Sequence, residues 1–303
     1  MAAAFITGQG VNLRGSPGGD VTGSLVKGEA VETLETSGVW THVELTRDGH
    51  IVDGWASSQF VNEAPPAEET HALADPAGFF QALQAQSLPL AAKQQTGCTA
   101  ILTACQGLPL AWTAYVLGTA ALETGATFAT DAVENLNYSA DALHALYPNR
   151  ISIADSQRVG RTAAHDPDRA GIANIIYGGA WGRANLGNDQ AGDGFTFRGR
   201  GWVQITGRRN YSRADNALSQ GGKLIANPDL MAQPEICAGS AVNGMIQGWF
   251  TTKKFADYLP DHGPASLDQF TRARQIINGH NRDSEIAGFA MKFQSALTAG
   301  GLA

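Results

Sequence analysis

The sequence predicts a multidomain chain, a small all-β unit followed by a mainly α-helical region. Three observations predict it. Short alternating strands separated by Gly and Pro turns fill the first 62 residues. A stretch rich in Pro, Ala and Glu, Asn62 to Pro76, carries no apolar period and reads as an extended linker. Beyond it, helix-capping signals recur and apolar residues fall at helical spacing. The expected division is a β-barrel over 1–62, a linker over 63–77 and a mainly helical domain over 78–303.

Composition narrows the classes. The chain has 303 residues, 43% apolar and 16% charged, ordinary values for globular protein. The net charge of −7 supplies no general attraction to nucleic acid or anionic membranes. The most apolar stretch, Leu108 to Leu122, is interrupted by Thr113 and Thr119 and is too short to span a bilayer, so no membrane insertion is expected. The opening MAAAFITGQG lacks a basic n-region and an apolar h-region. Synthesis in the cytoplasm without a signal peptide is therefore expected, as a monomer. Cys98 and Cys105 are expected to share a helix about 10 Å apart, beyond disulfide reach. Three cysteines without a CxxC pair and seven scattered histidines support neither a zinc site nor a disulfide scaffold, so no metal and no cofactor are expected.

In the β unit, Val11 to Arg14, Ala30 to Leu34, Trp40 to Leu45 and Asp53 to Ala56 read as strands. Ser16 to Gly19 is a turn, and Ser37-Gly38 and Asp48-Gly49 are hairpin signals. The order of GVNLRGSPGGD, VKGEAVETL, GVWTHVEL and DGWASSQFV resembles a bacterial SH3-type domain, the small barrel many wall hydrolases carry for targeting. A packing barrel without a ligand is the competing reading.

Asp75-Pro76 places an N-cap before Pro at the first helical position, and Asp166-Pro167 and Asn227-Pro228 repeat the device. Ser266 to Gln269 is a capping box opening a helix to about Ile277. A last helix from about Ser284 carries Ile286, Phe289, Phe293 and Leu297 as a buried stripe. Trp112, Tyr115, Val116, Thr119, Ala120 and Glu123 form one helical face, with Gly125 suited to end it. That places Glu123 in the last turn, at the end of a core-facing stripe. Burial and the helix dipole there favour the neutral carboxyl, the form a general acid requires. Glu134 follows eleven residues later, and a reversing loop would return it to face Glu123.

The run DGFTFRGRGWVQITGRRNY, Asp193 to Tyr211, sets arginines, aromatics and a Gln-Ile-Thr-Gly turn between glycines that let a ligand approach the backbone. With LETG around Glu123, ENLNYS around Glu134 and QIING downstream, this order resembles glycoside hydrolase family 19, in its endolysin branch, from roughly Leu90 to the C-terminus. The resemblance implies a lysozyme-like architecture. It also implies inverting hydrolysis of β-1,4 bonds between N-acetylated sugars, most of all in peptidoglycan, with chitin the runner-up. Glu123 would be the acid, Glu134 the base that activates water, and Thr206 the hydroxyl that helps hold that water. Tyr138, Gln204 and Asn278 would contact sugar, Arg198 and Arg200 would support the cleft, and Arg282 would pair with a cleft carboxylate. Leu122 replaces a family histidine, which removes an expected support of the acid. Without a signal peptide, such an enzyme would reach the wall through holin-type release or specialised secretion.

Two other readings compete. Arg198, Arg200, Arg208 and Arg209 interleaved with Phe195, Phe197, Trp202 and Tyr211 could form a nucleic-acid stacking platform, which the acidic balance disfavours. A non-catalytic wall-binding protein is the other, which retention of both glutamates and Thr206 disfavours.

Overall fold

The computed structural model describes residues 2–8, 10–47, 50–62, 73–279 and 281–302. The chain divides into two compact units, Met1–His71 with Gln106–Leu108, and Ala72–Cys105 with Pro109–Ala303.

The first unit is one antiparallel sheet of β1 (Ala2–Ile6), β2 (Val11–Arg14), β3 (Val21–Leu25), β4 (Ala30–Ser37), β5 (Trp40–Arg47), β6 (His50–Ser57) and β7 (Val61–Asn62). Alternation along β5 buries Thr41, Val43 and Leu45 on one face. Val43 and Leu45 join Ile6, Val11, Leu13, Leu25, Val31 and Ala56 in the core. The β4–β5 hairpin pairs Ser37 with Trp40 across Gly38 at φ +61, the positive φ that a type II′ turn demands at its first central residue. Gly54 is required by packing, since a Cβ there would lie 2.8 Å from the Arg14 carbonyl oxygen.

The expected closed barrel is not formed. The strand order is β3-β2-β6-β5-β4-β1-β7, which leaves β3 and β7 as the two edges of an open sheet. Closure needs those edges to pair along their length. β7 is only 2 residues long and pairs with β1, while β3 buries little besides Leu25. Strands β1, β3 and β7 lie beyond the four read from sequence. The Asp48-Gly49 turn and residues 63–72 of the expected linker lie outside the described residues.

The second unit is mainly α-helical. It opens with α1 (Pro76–Ala85), α2 (Ala92–Ala104), α3 (Leu110–Thr124), α4 (Ala140–Leu146), α5 (Ile153–Val159) and α6 (Arg169–Ile176). It continues with α7 (Gly179–Leu186), α8 (Asp193–Thr196), α9 (Arg208–Ala217), α10 (Lys223–Ala226), α11 (Pro234–Gln247), α12 (Leu267–Ala273) and α13 (Asp283–Ala299). Asp75 caps α1 through the Gly78 amide with Pro76 at the first position, and Ser266 and Gln269 close the capping box of α12. Asp166-Pro167 does not start a helix; Asp168 caps α6 instead, through the Gly171 amide. Asn227-Pro228 opens a 3-10 turn, and α12 passes into another at Arg274.

α3 is buried on nearly every side rather than along one stripe, as a helix apolar all round must be. It packs on α13, whose Ile286, Phe293 and Leu297 are fully buried. Cys98, Cys105 and Cys237 are buried free thiols. No helix among the described residues is long and apolar enough to cross a membrane.

Candidate active site

Glu123 stands in the last turn of α3, which Gly125 ends in the left-handed conformation at φ 60. Its side chain is 28% exposed, and Oε1 accepts a 2.7 Å bond from Nη1 of Arg274. Arg274 is itself buried, and its Nε donates to the Asn281 carbonyl at 3.0 Å. Tyr115, one face along α3, donates to the Ala273 carbonyl at 2.8 Å and so ties α3 to the segment that carries Arg274. Burial pushes the Tyr115 phenol up, so it remains a donor. The counter-charge on Glu123 is thus Arg274, so the carboxyl is part-exposed and paired with a cation rather than buried in the apolar surroundings expected from the helix stripe. Arg282, the residue proposed from sequence to pair with a cleft carboxylate, forks onto Glu285 at 2.9 Å through both Nε and Nη2. That hydrogen bond first, and the charges of Glu285 and Glu123 after it, hold its guanidinium above the ordinary arginine range. Asn278 closes a local turn, its Oδ1 accepting from the Gly279 amide at 2.8 Å.

Glu134 is placed by a short antiparallel pairing. Val133 bridges Arg200, the Gly201 amide donates to the Ala132 carbonyl, and the Glu134 amide donates to the Gly199 carbonyl at 2.9 Å. Its carboxylate is held from two sides: Oε1 accepts from the Tyr177 hydroxyl at 2.8 Å and Oε2 from the Gly199 amide at 3.3 Å. A Cβ at Gly199 would meet the Gln204 Oε1 at 2.5 Å and the Thr206 Oγ1 at 3.3 Å. Glu134, Gln204 and Thr206 therefore converge on one glycine. Gln204 takes φ +51, a left-handed conformation that costs a non-glycine residue and is held here by its own side chain, whose Nε2 donates to the Gly201 carbonyl. The Thr206 hydroxyl donates to the Gln204 carbonyl at 2.8 Å, which leaves its lone pairs as acceptors.

Tyr138 lies half-buried beside this group. Burial first, then the neighbouring Tyr147 and the charge of Glu134, push its phenol up. Arg198 sits over the Phe195 ring at 4.2 Å and donates to the Phe195 carbonyl. Burial and the charge of Arg200 lower its pKa, against the pull of Asp229 and Glu134. Arg200 is an internal strut. It is 2% exposed and donates to Asp229 at 2.7 Å, to the Tyr211 hydroxyl at 2.8 Å and to the Thr196 carbonyl.

The stacking-platform reading fails on burial. Phe197, Trp202 and Tyr211 are core residues, and Arg208 is spent on Asp193 at 2.6 Å. One residue past Tyr177 opens a cavity of about 380 Å³ whose lining includes Gly178, Gly179, Arg183, Asp189 and Gln190. No cluster of metal-ligating side chains occurs among the described residues.

Sequence reasoning missed Tyr177 and Arg274. Arg274 had a signal: it follows Phe270 and Ala273 at i+4 and i+1, on the buried face of its helix, where a cation requires a carboxylate partner. Tyr177 had none, because the contact spans 43 residues of chain.

Two comparisons bear on this arrangement. Residues 9–62 match the family model described as bacterial SH3 domain. The chain is also similar to a glycosyl hydrolase family 19 domain-containing protein of Haemophilus influenzae, 35% identical over 113 residues, which is 36% of this chain and 49% of the relative. The similarity spans about half the length of that relative. The N-terminal unit is thus a bacterial SH3-type domain in sequence with an open sheet, followed by a mainly helical region, and the chain shows partial likeness to a family 19 hydrolase domain-containing protein.

Proposed function

We propose that the helical unit is an inverting glycosidase that cleaves β-1,4 bonds of N-acetylated amino-sugar polymers, peptidoglycan foremost, and that the SH3-type unit binds the wall. The observation that carries this reading is the Glu134 carboxylate, fixed on both oxygens and grouped with Gln204 and Thr206 around Gly199. The partial likeness to a family 19 hydrolase and the bacterial SH3 match support the substrate class.

In this mechanism protonated Glu123 gives its proton to the glycosidic oxygen as the bond from that oxygen to the anomeric carbon breaks. Arg274 then steadies the carboxylate left behind. A water, accepted by Glu134 and donating to the free lone pairs of Thr206, forms the new bond on the opposite face of the sugar, and its proton passes to Glu134. Proton exchange with solvent resets both groups. Gln204, Tyr138 and Asn278 contact the sugars, and the glycine-lined cavity beyond Tyr177 offers room for polar substituents of an extended ligand.

The test is mass spectrometry of purified, reduced peptidoglycan after digestion. New reduced amino-sugar ends from the wild type, lost about 10²–10⁴-fold in Glu123→Gln and in Glu134→Gln, are expected. Ends from chitin oligosaccharides alone would move the substrate to chitin. Absence of ends from either polymer, with binding to walls kept, would leave a wall-binding protein.

A further inference from the structure

We infer that Tyr177 is a positioning residue that sets the orientation of the Glu134 carboxylate; this rests on the reading of Glu134 as the base. Tyr177 follows the last residue of α6, and its backbone is fixed on both sides. Its amide donates to the Ala173 carbonyl at 2.9 Å, and its carbonyl accepts from Nδ2 of Asn188 at 2.9 Å. Its ring packs against a core of Leu136, Leu143, Ile151, Ile172 and Ile176. A phenol so anchored has little freedom, and its hydroxyl meets Oε1 of Glu134 at 2.8 Å.

Tyr147 and Tyr138 stand near it. The Tyr138 and Tyr147 rings meet edge to face at 6.0 Å. Tyr138 and Tyr147 flank the two ends of α4, and Tyr177 caps the C-terminus of α6. Burial, then the charges of Glu134 and Tyr147, push the Tyr177 phenol up, so it stays protonated and keeps donating.

The geometry makes this more than packing. A carboxylate oxygen has two acceptor sites, and each oxygen of Glu134 has one of them filled, Oε1 by Tyr177 and Oε2 by Gly199. Rotation of the carboxylate would break both bonds at once. Without the phenol only the 3.3 Å contact to Gly199 remains, and the group is free to swing off the water that it must deprotonate. A displacement of about 1 Å at a reacting group is enough for roughly a hundredfold loss in rate.

The experiment is a double-variant cycle on the full chain, with turnover and KM read on purified peptidoglycan and on soluble oligosaccharide. Tyr177→Phe deletes one oxygen and keeps the ring. It is expected to lower kcat by about 10–100-fold with KM unchanged within about twofold. The combined Tyr177→Phe/Glu134→Gln variant is expected to be no slower than Glu134→Gln alone, because the hydroxyl acts only through that carboxylate. Wild-type kcat in Tyr177→Phe, a rise in KM at constant kcat, or losses that multiply in the combined variant would overturn the inference while leaving Glu134 as base. Wild-type turnover by Glu134→Gln would remove the base itself, and the inference with it.

Discussion

Glu123 and Glu134 are held by opposite kinds of partner. Glu134 accepts from two neutral donors, a phenol and an amide, whereas Glu123 faces a buried guanidinium. Asp193, the first residue of α8, has a structural task. It is 3% exposed and takes a forked pair from Arg208, with Nε at 2.8 Å and Nη2 at 2.6 Å, as well as the Gln190 amide at 3.0 Å. Burial alone would raise its pKa, but these bonds outweigh burial and hold the carboxyl below the ordinary aspartate value. A depressed folded pKa means that the stabilisation is present above the unfolded value of about 3.9 and is lost as pH falls through the folded one. Thermal melts across pH should therefore show Asp193→Asn well below wild type at pH 7, with the gap narrowing below about pH 4. A gap independent of pH would place the energy of Asp193 elsewhere than in its charge.

At the scale of elements, α3 and α13 meet through a glycine. A Cβ on Gly118 would lie 2.8 Å from the Ala290 nitrogen and 3.0 Å from its Cα, backbone atoms that cannot yield without moving α13. Gly288, inside α13, has no atom within 4 Å of the same construction. Gly118→Ala should cost about 1–3 kcal/mol by overpacking, and Gly288→Ala should gain about 0.5–1 kcal/mol from helix propensity, both readable in chemical denaturation. Equal effects would mean that the helices do not pack as described. Local signals read these elements well. Asp75-Pro76, the Ser266 capping box and Gly125 all mark real helix ends, since caps act over three or four residues. Asp166-Pro167 misled because Asp168, two residues on, competes for the same role. The open edges of the sheet were invisible, because pairing between β3 and β7 is a matter of distant contacts that no local alternation encodes. The motif residues Gln204 and Thr206 could be named from sequence, but their convergence with Glu134 over Gly199 depends on a pairing across 65 residues.

For the molecule as a whole, the proposal joins a wall-binding sheet to a sugar-cleaving helical unit on one chain, and such tethering raises the local concentration of substrate. A net charge of −7 leaves recognition to hydrogen bonds and shape rather than bulk attraction. The central claim is that a water held between Glu134 and Thr206 attacks opposite the leaving group while Glu123 supplies the proton. Early-time proton NMR of a digest of wall fragments, read before mutarotation, tests it most directly. The α-anomer should accumulate first with the wild type, and no anomer signal above background should appear with Glu123→Gln on the same timescale. Early accumulation of the β-anomer, or wild-type signal from Glu123→Gln, would contradict it.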